Sequence, residues 1–207
     1  MSFSRGRLNA ALQLAVVTLV ASVVLSALTR HSAPQTAESQ LVLNLDPAQS
    51  GVHWTLGSSL HSVHGTFSFK KGTLQIDLAS GKVSGEIIAD ATSGNSGNDS
   101  RDKKMHKDVL ESAWFGEVIF RPDSFSGKLA SQGESTVEVH GIFMLHGSEH
   151  ELTVPVKVTL AEDHWAGSAS FSVPFIDWGL KNPSTWLLKV EHVVKVELEL
   201  KGTIKSM

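Results

Sequence analysis

Residues 137–160 read VEVHGIFMLHGSEHELTVPVKVTL, and their hydrophobic period is two. Val137, Val139, Gly141, Phe143 and Leu145 share one parity, and beyond Gly147 and Ser148 the residues Leu152, Val154, Val156, Val158 and Leu160 share one again. Successive side chains of a strand point to opposite faces, so this alternation marks two half-buried strands. The Gly-Ser break between them is turn chemistry suited to a hairpin.

The pattern spreads in both directions. Toward the C-terminus, Trp165, Gly167, Ala169, Phe171, Val173 and Phe175 oppose Ala166, Ser168, Ser170 and Ser172. Then His192, Val194, Val196, Leu198, Leu200, Gly202 and Ile204 oppose Val193, Lys195, Glu197, Glu199 and Lys201. Toward the N-terminus the apolar rows are Leu41, Leu43, Leu45; Val52, Trp54, Leu56; Val63, Gly65, Phe67, Phe69; Leu74, Ile76, Leu78; Val83, Gly85, Ile87, Ala89; and Val118, Phe120. Lys70-Lys71-Gly72, Ser80-Gly81 and Ser126-Gly127 read as further hairpin turns. Hairpin-linked strands at this spacing imply an antiparallel sandwich or a closed barrel. The barrel is favoured because the inward rows mix Gly and Ala with Phe and Trp, which leaves room at the centre. The single polar face of each strand fits a sandwich nearly as well.

One stretch departs from the period. Asn98, Asp99 and Ser100 offer helix N-caps, and residues 101–112 (RDKKMHKDVLES) predict a three-turn amphipathic helix. Met105, Val109 and Ala113 fall on one stripe, with Leu110 beside it, and would face the barrel. Arg101, Lys103 and Lys104 follow a Gly- and Ser-rich segment, residues 92–97, expected as a flexible loop, and would favour an anion at the helix start.

Ahead of the strands, Arg5 and Arg7 precede an apolar run over residues 8–28, long enough to cross a bilayer core. It reads as a secretion signal or a retained anchor, with residues 30–39 as a tether. The expected division is therefore residues 1–37 as targeting segment and residues 38–207 as one domain, placed outside the cytoplasm by the flanking arginines.

Composition excludes several functions. The 207 residues carry 18 basic and 21 acidic side chains, and a formal charge of -3 offers no basic field for nucleic acid. Cysteine is absent, which removes disulfides, thiolate catalysis, cysteine-based metal sites and lipoprotein acylation. Ten histidines invite a metal reading, yet His61 and His64 would sit on opposite faces of a strand, and His140 and His146 share the outward parity. Gly-x-Ser-x-Gly is missing, and the Thr92–Gly97 stretch lacks the Gly-Lys-Ser/Thr of a phosphate loop. Glu197 and Glu199 alternate with Lys195 and Lys201 as a solvated row. Binding rather than catalysis is expected, with no metal and no cofactor.

Five segments in order resemble the YceI-like family of exported lipid-binding proteins: LDPAQSGVHWTLG from Leu45, VHGTFSFKKGTL from Val63, SRDKKMHKDVLESAWFGEVIF from Ser100, VHGIFMLHGSEHELTVPVKV from Val139 and FIDWGLKNPS from Phe175. The resemblance spans nearly everything from Leu45 to Ile204. One departure is His106, which stands further from Arg101-Asp102 than in the commonest members. The resemblance implies an all-β fold: an extended, lipocalin-like antiparallel barrel of eight strands with one short helix, holding a polyisoprenoid or other amphiphile without catalysis. A barrel of that size can enclose one ligand. Trp54, Phe67, Phe69, Phe120, Phe143, Phe171 and Phe175 are the aromatic candidates for its wall, with Met105 and Arg101 from the helix. Each alone could equally be core. A filled barrel serving as a membrane-anchored interaction module is the alternative, and the oligomeric state is left open.

Overall fold

The computed structural model describes residues 40–206. Nine antiparallel strands form one sheet: β1 (Gln40–Leu45), β2 (Gly51–Ser58), β3 (Val63–Asp77), β4 (Lys82–Asn95), β5 (Glu117–Ser126), β6 (Gly133–Leu145), β7 (Ser148–Leu160), β8 (His164–Val173) and β9 (Val190–Ser206). A short helix, α1 (Asp99–Lys104), runs into a π-helical turn (Met105–Val109) between β4 and β5. The sheet order is β1-β3-β2-β9-β8-β7-β6-β5-β4, and a β3–β4 pairing closes it into a ring.

The expected count of eight strands is corrected to nine, for a local reason. Both β1 and β2 pair with the same two neighbours, β3 and β9. They occupy one position in the ring, interrupted at residues 46–50. There the Asp46 carboxylate accepts the Ala48 N–H at 3.0 Å and the Gln49 side chain at 2.7 Å, an Asx turn. The Ser50 hydroxyl accepts the Lys201 N–H at 2.9 Å and donates to its carbonyl at 3.2 Å, replacing ladder bonds that the interruption removes.

Other turns also fall differently from expectation. Lys70 and Lys71 lie within β3, where the register against β4 shifts between Phe69 and Lys71. This bulge explains the change of inward parity from Phe67 and Phe69 to Leu74 and Ile76, because one extra residue exchanges the faces. Both lysines stay outside, Lys70 within 3.2 Å of Glu117 and Lys71 within 3.5 Å of Glu86. The β6–β7 turn is His146-Gly147, one residue earlier than the sequence suggested: both have positive φ, 52° and 77°, as a two-residue hairpin turn of right-handed twist requires.

The helix is shorter than expected. Asn98 caps it by accepting the Arg101 N–H at 3.0 Å, but Leu110 N–H reaches back to the Met105 carbonyl at 2.9 Å and widens the last turn. Glu111 then turns at φ 45° and ends it, so Ser112 is outside the helix and buried, while Ala113 is exposed rather than on the packed stripe. Residues 92–95 belong to β4, not to a flexible loop. The targeting segment expected within residues 1–37 lies outside the described residues. Among those described, no helix is long and apolar enough to cross a membrane.

Candidate functional site

The ring encloses a cavity of about 580 Å³, within the range of roughly 300–1,000 Å³ common for small-molecule sites. All nine residues singled out in the sequence line it. Trp54 comes from β2, Phe67 and Phe69 from β3, Phe120 from β5, Phe143 from β6 and Phe171 from β8. Phe175 follows β8 in an irregular turn, Met105 opens the π-helical turn and Arg101 belongs to α1. Glycine makes the aromatic wall possible: a Cβ on Gly65 would land on the Trp54 ring and the Asn95 carbonyl. Likewise a Cβ on Gly94 would meet Phe67 and Met105, so its absence lets the π-helical turn settle over the strands.

The two ends differ. One is sealed by a buried apolar cluster that includes Leu43, Ile76, Val137, Trp165 and Leu160, the last only 2% exposed. At the other, Phe175 and Leu180 from the β8–β9 connection pack with Val109, Leu145 and Val173. Beside this second cluster the cavity reaches exposed side chains. Its polar lining residues are Ser58, His61, Arg101, Lys104 and Thr185, and all five belong to this mouth. The rest of the wall is apolar apart from the indole N–H groups. Trp165 donates its own to the Asn44 carbonyl at 3.2 Å, whereas the buried Nε1 of Trp54 has no partner among the described residues.

Hydrogen bonds hold the mouth in shape. Arg101 donates from Nε to the Ser96 hydroxyl at 2.7 Å and from Nη2 to the Ser96 carbonyl at 2.8 Å. Asp102 accepts the Ser96 N–H at 3.0 Å and also its hydroxyl. Arg101 is thus a brace for the β4–α1 connection as well as a lining residue. His106, the departure noted in the sequence, lies 2.9 Å from the Gly94 carbonyl through Nε2 and 3.0 Å from the Ser112 hydroxyl through Nδ1. The carbonyl can only accept, so Nε2 carries a proton and donates to it. Both ring nitrogens are occupied within the chain. Lys104 spans the mouth, its Nζ 3.2 Å from the Pro183 carbonyl.

Lining residues missed in the sequence fall into two kinds. Phe125 sits beyond a register shift between Pro122 and Ser124, and the parity change there was a readable signal. Pro183, Thr185 and Leu188 belong to an irregular connection without a period, and no local signal marks them. On the outer surface His140 pairs with Asp123, and His146 Nε2 donates to the Glu111 carboxylate at 2.7 Å. Among the described residues no three His, Asp or Glu side chains converge as a metal site.

A closed antiparallel sheet around an apolar cavity, with polar groups confined to one mouth, defines a cavity-bearing all-β protein. Within that class the chain belongs to the YceI-like domain family, whose model matches residues 43–202. No curated protein sequence matches the chain. Solved structures share its fold. BcnA of Burkholderia cenocepacia is 17% identical, with a TM-score of 0.63 over 77% of this chain and 99% of that one. A polyisoprenoid-binding domain from Saccharophagus degradans, implicated in plant cell wall breakdown, is 17% identical with a TM-score of 0.59 over 80% and 98% of the chains. A YceI protein of Campylobacter jejuni is 12% identical with a TM-score of 0.53 over 65% and 81%.

Proposed function

We propose that the ring is a lipocalin-like barrel that holds a polyisoprenoid or other amphiphilic lipid, binds it without catalysis, and works on the exported side of a membrane. One observation carries this reading: the polar lining residues all stand at the mouth, and the remaining length is apolar. Such a gradient suits a molecule with a long apolar tail and one polar end, the tail inward. Arg101 and Lys104 make an anionic head the better match, through charge-assisted hydrogen bonds. The Saccharophagus domain, which binds polyisoprenoid by its description, supports the ligand class. The basic flank and apolar run of residues 5–28 support export.

Native mass spectrometry of the purified chain, followed by organic extraction, tests the proposal. A stoichiometric lipid that disappears on extraction is expected. The delipidated protein should then bind a polyprenyl phosphate more tightly than the matching neutral alcohol, and Lys104→Ala should narrow that difference. Absence of any bound lipid, together with no uptake of either probe, would favour the filled-barrel interaction module instead.

A further inference from the structure

The mouth carries large apolar side chains that none of the described residues cover. Trp186 is 85% exposed, Leu187 69% and Leu60 76%. Each sits between residues that line the cavity: Trp186 and Leu187 between Thr185 and Leu188, Leu60 between Ser58 and His61. The two loops are tied together. Ser59 N–H donates to the Lys189 carbonyl at 2.8 Å, and Lys189 N–H reaches the Ser59 hydroxyl at 3.3 Å. Thr185 N–H donates to the Leu188 carbonyl at 2.8 Å while Leu188 N–H reaches Thr185 Oγ1 at 3.1 Å. That closed turn leaves Trp186 and Leu187 at its tip, directed away from the fold.

We propose that this edge is a lipid-surface docking site, where Trp186, Leu187 and Leu60 enter the interfacial layer of a bilayer and open the cavity directly onto it. The inference rests on the amphiphile reading above. Tryptophan favours the headgroup level and leucine the acyl region just below, so the composition fits a membrane interface. Basic residues stand at it: Arg101 and Lys104 line the opening, and Lys189 is bonded through its backbone to Ser59 beside Leu60. Over the helical segment and the β8–β9 connection as a whole, Asp99, Asp102, Asp108, Glu111, Asp177 and Glu191 balance the basic residues, but no carboxylate lines the opening. The charged residues that line the opening, Arg101 and Lys104, are both basic, which complements an anionic headgroup layer. Docking there also lets a tail pass between cavity and bilayer without crossing water, a reason for the apolar side chains to ring the opening.

The absence of cysteine makes a clean test possible. Leu187→Cys, and Ser80→Cys at the sealed end, are each labelled in the full chain with an environment-sensitive fluorophore. Vesicles of phosphatidylcholine, with or without phosphatidylglycerol, are then added. Residues 8–28 could hold the chain on vesicles by themselves, so the comparison is between two label sites on equally bound protein. A blue shift and several-fold brightening at position 187, absent at position 80, strengthened by phosphatidylglycerol and weakened by salt, is expected. Equal responses at both sites, or a response at position 80 alone, would overturn the proposal. So would a shift at position 187 that needs no vesicles and grows with protein concentration, since a second copy would then cover the edge. In a second arm, Leu60→Ser, Trp186→Ser and Leu187→Ser combined should slow transfer of a pyrene-labelled fatty acid between vesicles about tenfold. The same variant should keep its lipid in native mass spectra. Unchanged transfer sinks the docking idea alone, whereas a wild-type chain that holds no lipid sinks the cavity reading.

Discussion

Gly65 and Trp54 show how single side chains shape the cavity wall. The Trp54 ring occupies the space that any side chain at position 65 would need, with the Asn95 carbonyl behind it. Gly65→Ala should therefore cost ~1–3 kcal/mol, as overpacking does. In a chain of this size that is about 2–4 °C of Tm per kcal/mol, readable by thermal melting. On the outer face, His140 Nδ1 lies 2.9 Å from Asp123. That hydrogen bond raises His140 above its ordinary 6.5, and hydrogen bonds from Ser124 and then His140 lower Asp123 below 3.8. A raised histidine contributes stability fully below its unfolded value and loses it as pH climbs through the folded one. A lowered carboxylate contributes above its unfolded value and loses it as pH falls through the folded one. The pair thus contributes most between those two ordinary values. His140→Gln should lower Tm more at about pH 5.5 than at about pH 8.5, by a small margin because both groups are solvated.

The α1 segment is the element whose local chemistry matters most to the site. Six residues of helix and one π-helical turn are too short to be stable alone, so their position depends on side-chain ties. Arg101 supplies two through Ser96, and His106 two more through Gly94 and Ser112. Arg101→Ala should lower stability by about 1.5–3 kcal/mol, the range for hydrogen bonds to a charged group, as urea unfolding would measure. Arg101→Lys should restore only part of it, because an ammonium lacks the fork that reaches both Ser96 oxygens. If the guanidinium also meets a ligand head, folded Arg101→Ala will bind polyprenyl phosphate more weakly and the neutral alcohol unchanged. Equal affinities would assign Arg101 to bracing alone.

Closure of the sheet governs the molecule as a whole. Every strand is paired on both sides along at least part of its length, which leaves little open edge for association through backbone pairing. The space inside means that the empty protein lacks contacts which a bound chain would supply. Delipidated protein should consequently melt lower than the lipid-loaded form. Refilling at about 100 times Kd would return about 2.7 kcal/mol by mass action. Zinc, copper or nickel should produce no comparable rise, since among the described residues no three His, Asp or Glu side chains converge. A metal that survives dialysis at one equivalent would contradict this. Gln40, the first described residue, pairs with Asp77 at the sealed end. The mouth is therefore presented at the end of the ring remote from the start of β1.

Period-two alternation from Leu41 to Ile204 was enough to identify an antiparallel all-β chain, since the face a strand residue takes is a local property of its backbone. The same parity selected Trp54, Phe67, Phe69, Phe120, Phe143 and Phe171 as inward residues, and all line the cavity. Net charge, the missing cysteines and the capped helix start were equally local. What parity cannot express is the folding of separate segments onto one another. The division of one ring position between β1 and β2 depends on Ser50 meeting Lys201, 151 residues away. The bulge at Lys70 and Lys71 looked like a turn because Lys-Lys-Gly suits both, and only continued pairing with β4 distinguishes them. The mouth was least legible of all. It unites Ser58 and His61 at the end of β2, Arg101 and Lys104 from α1, and Thr185 from the β8–β9 connection, and only closure of the ring brings them to one opening.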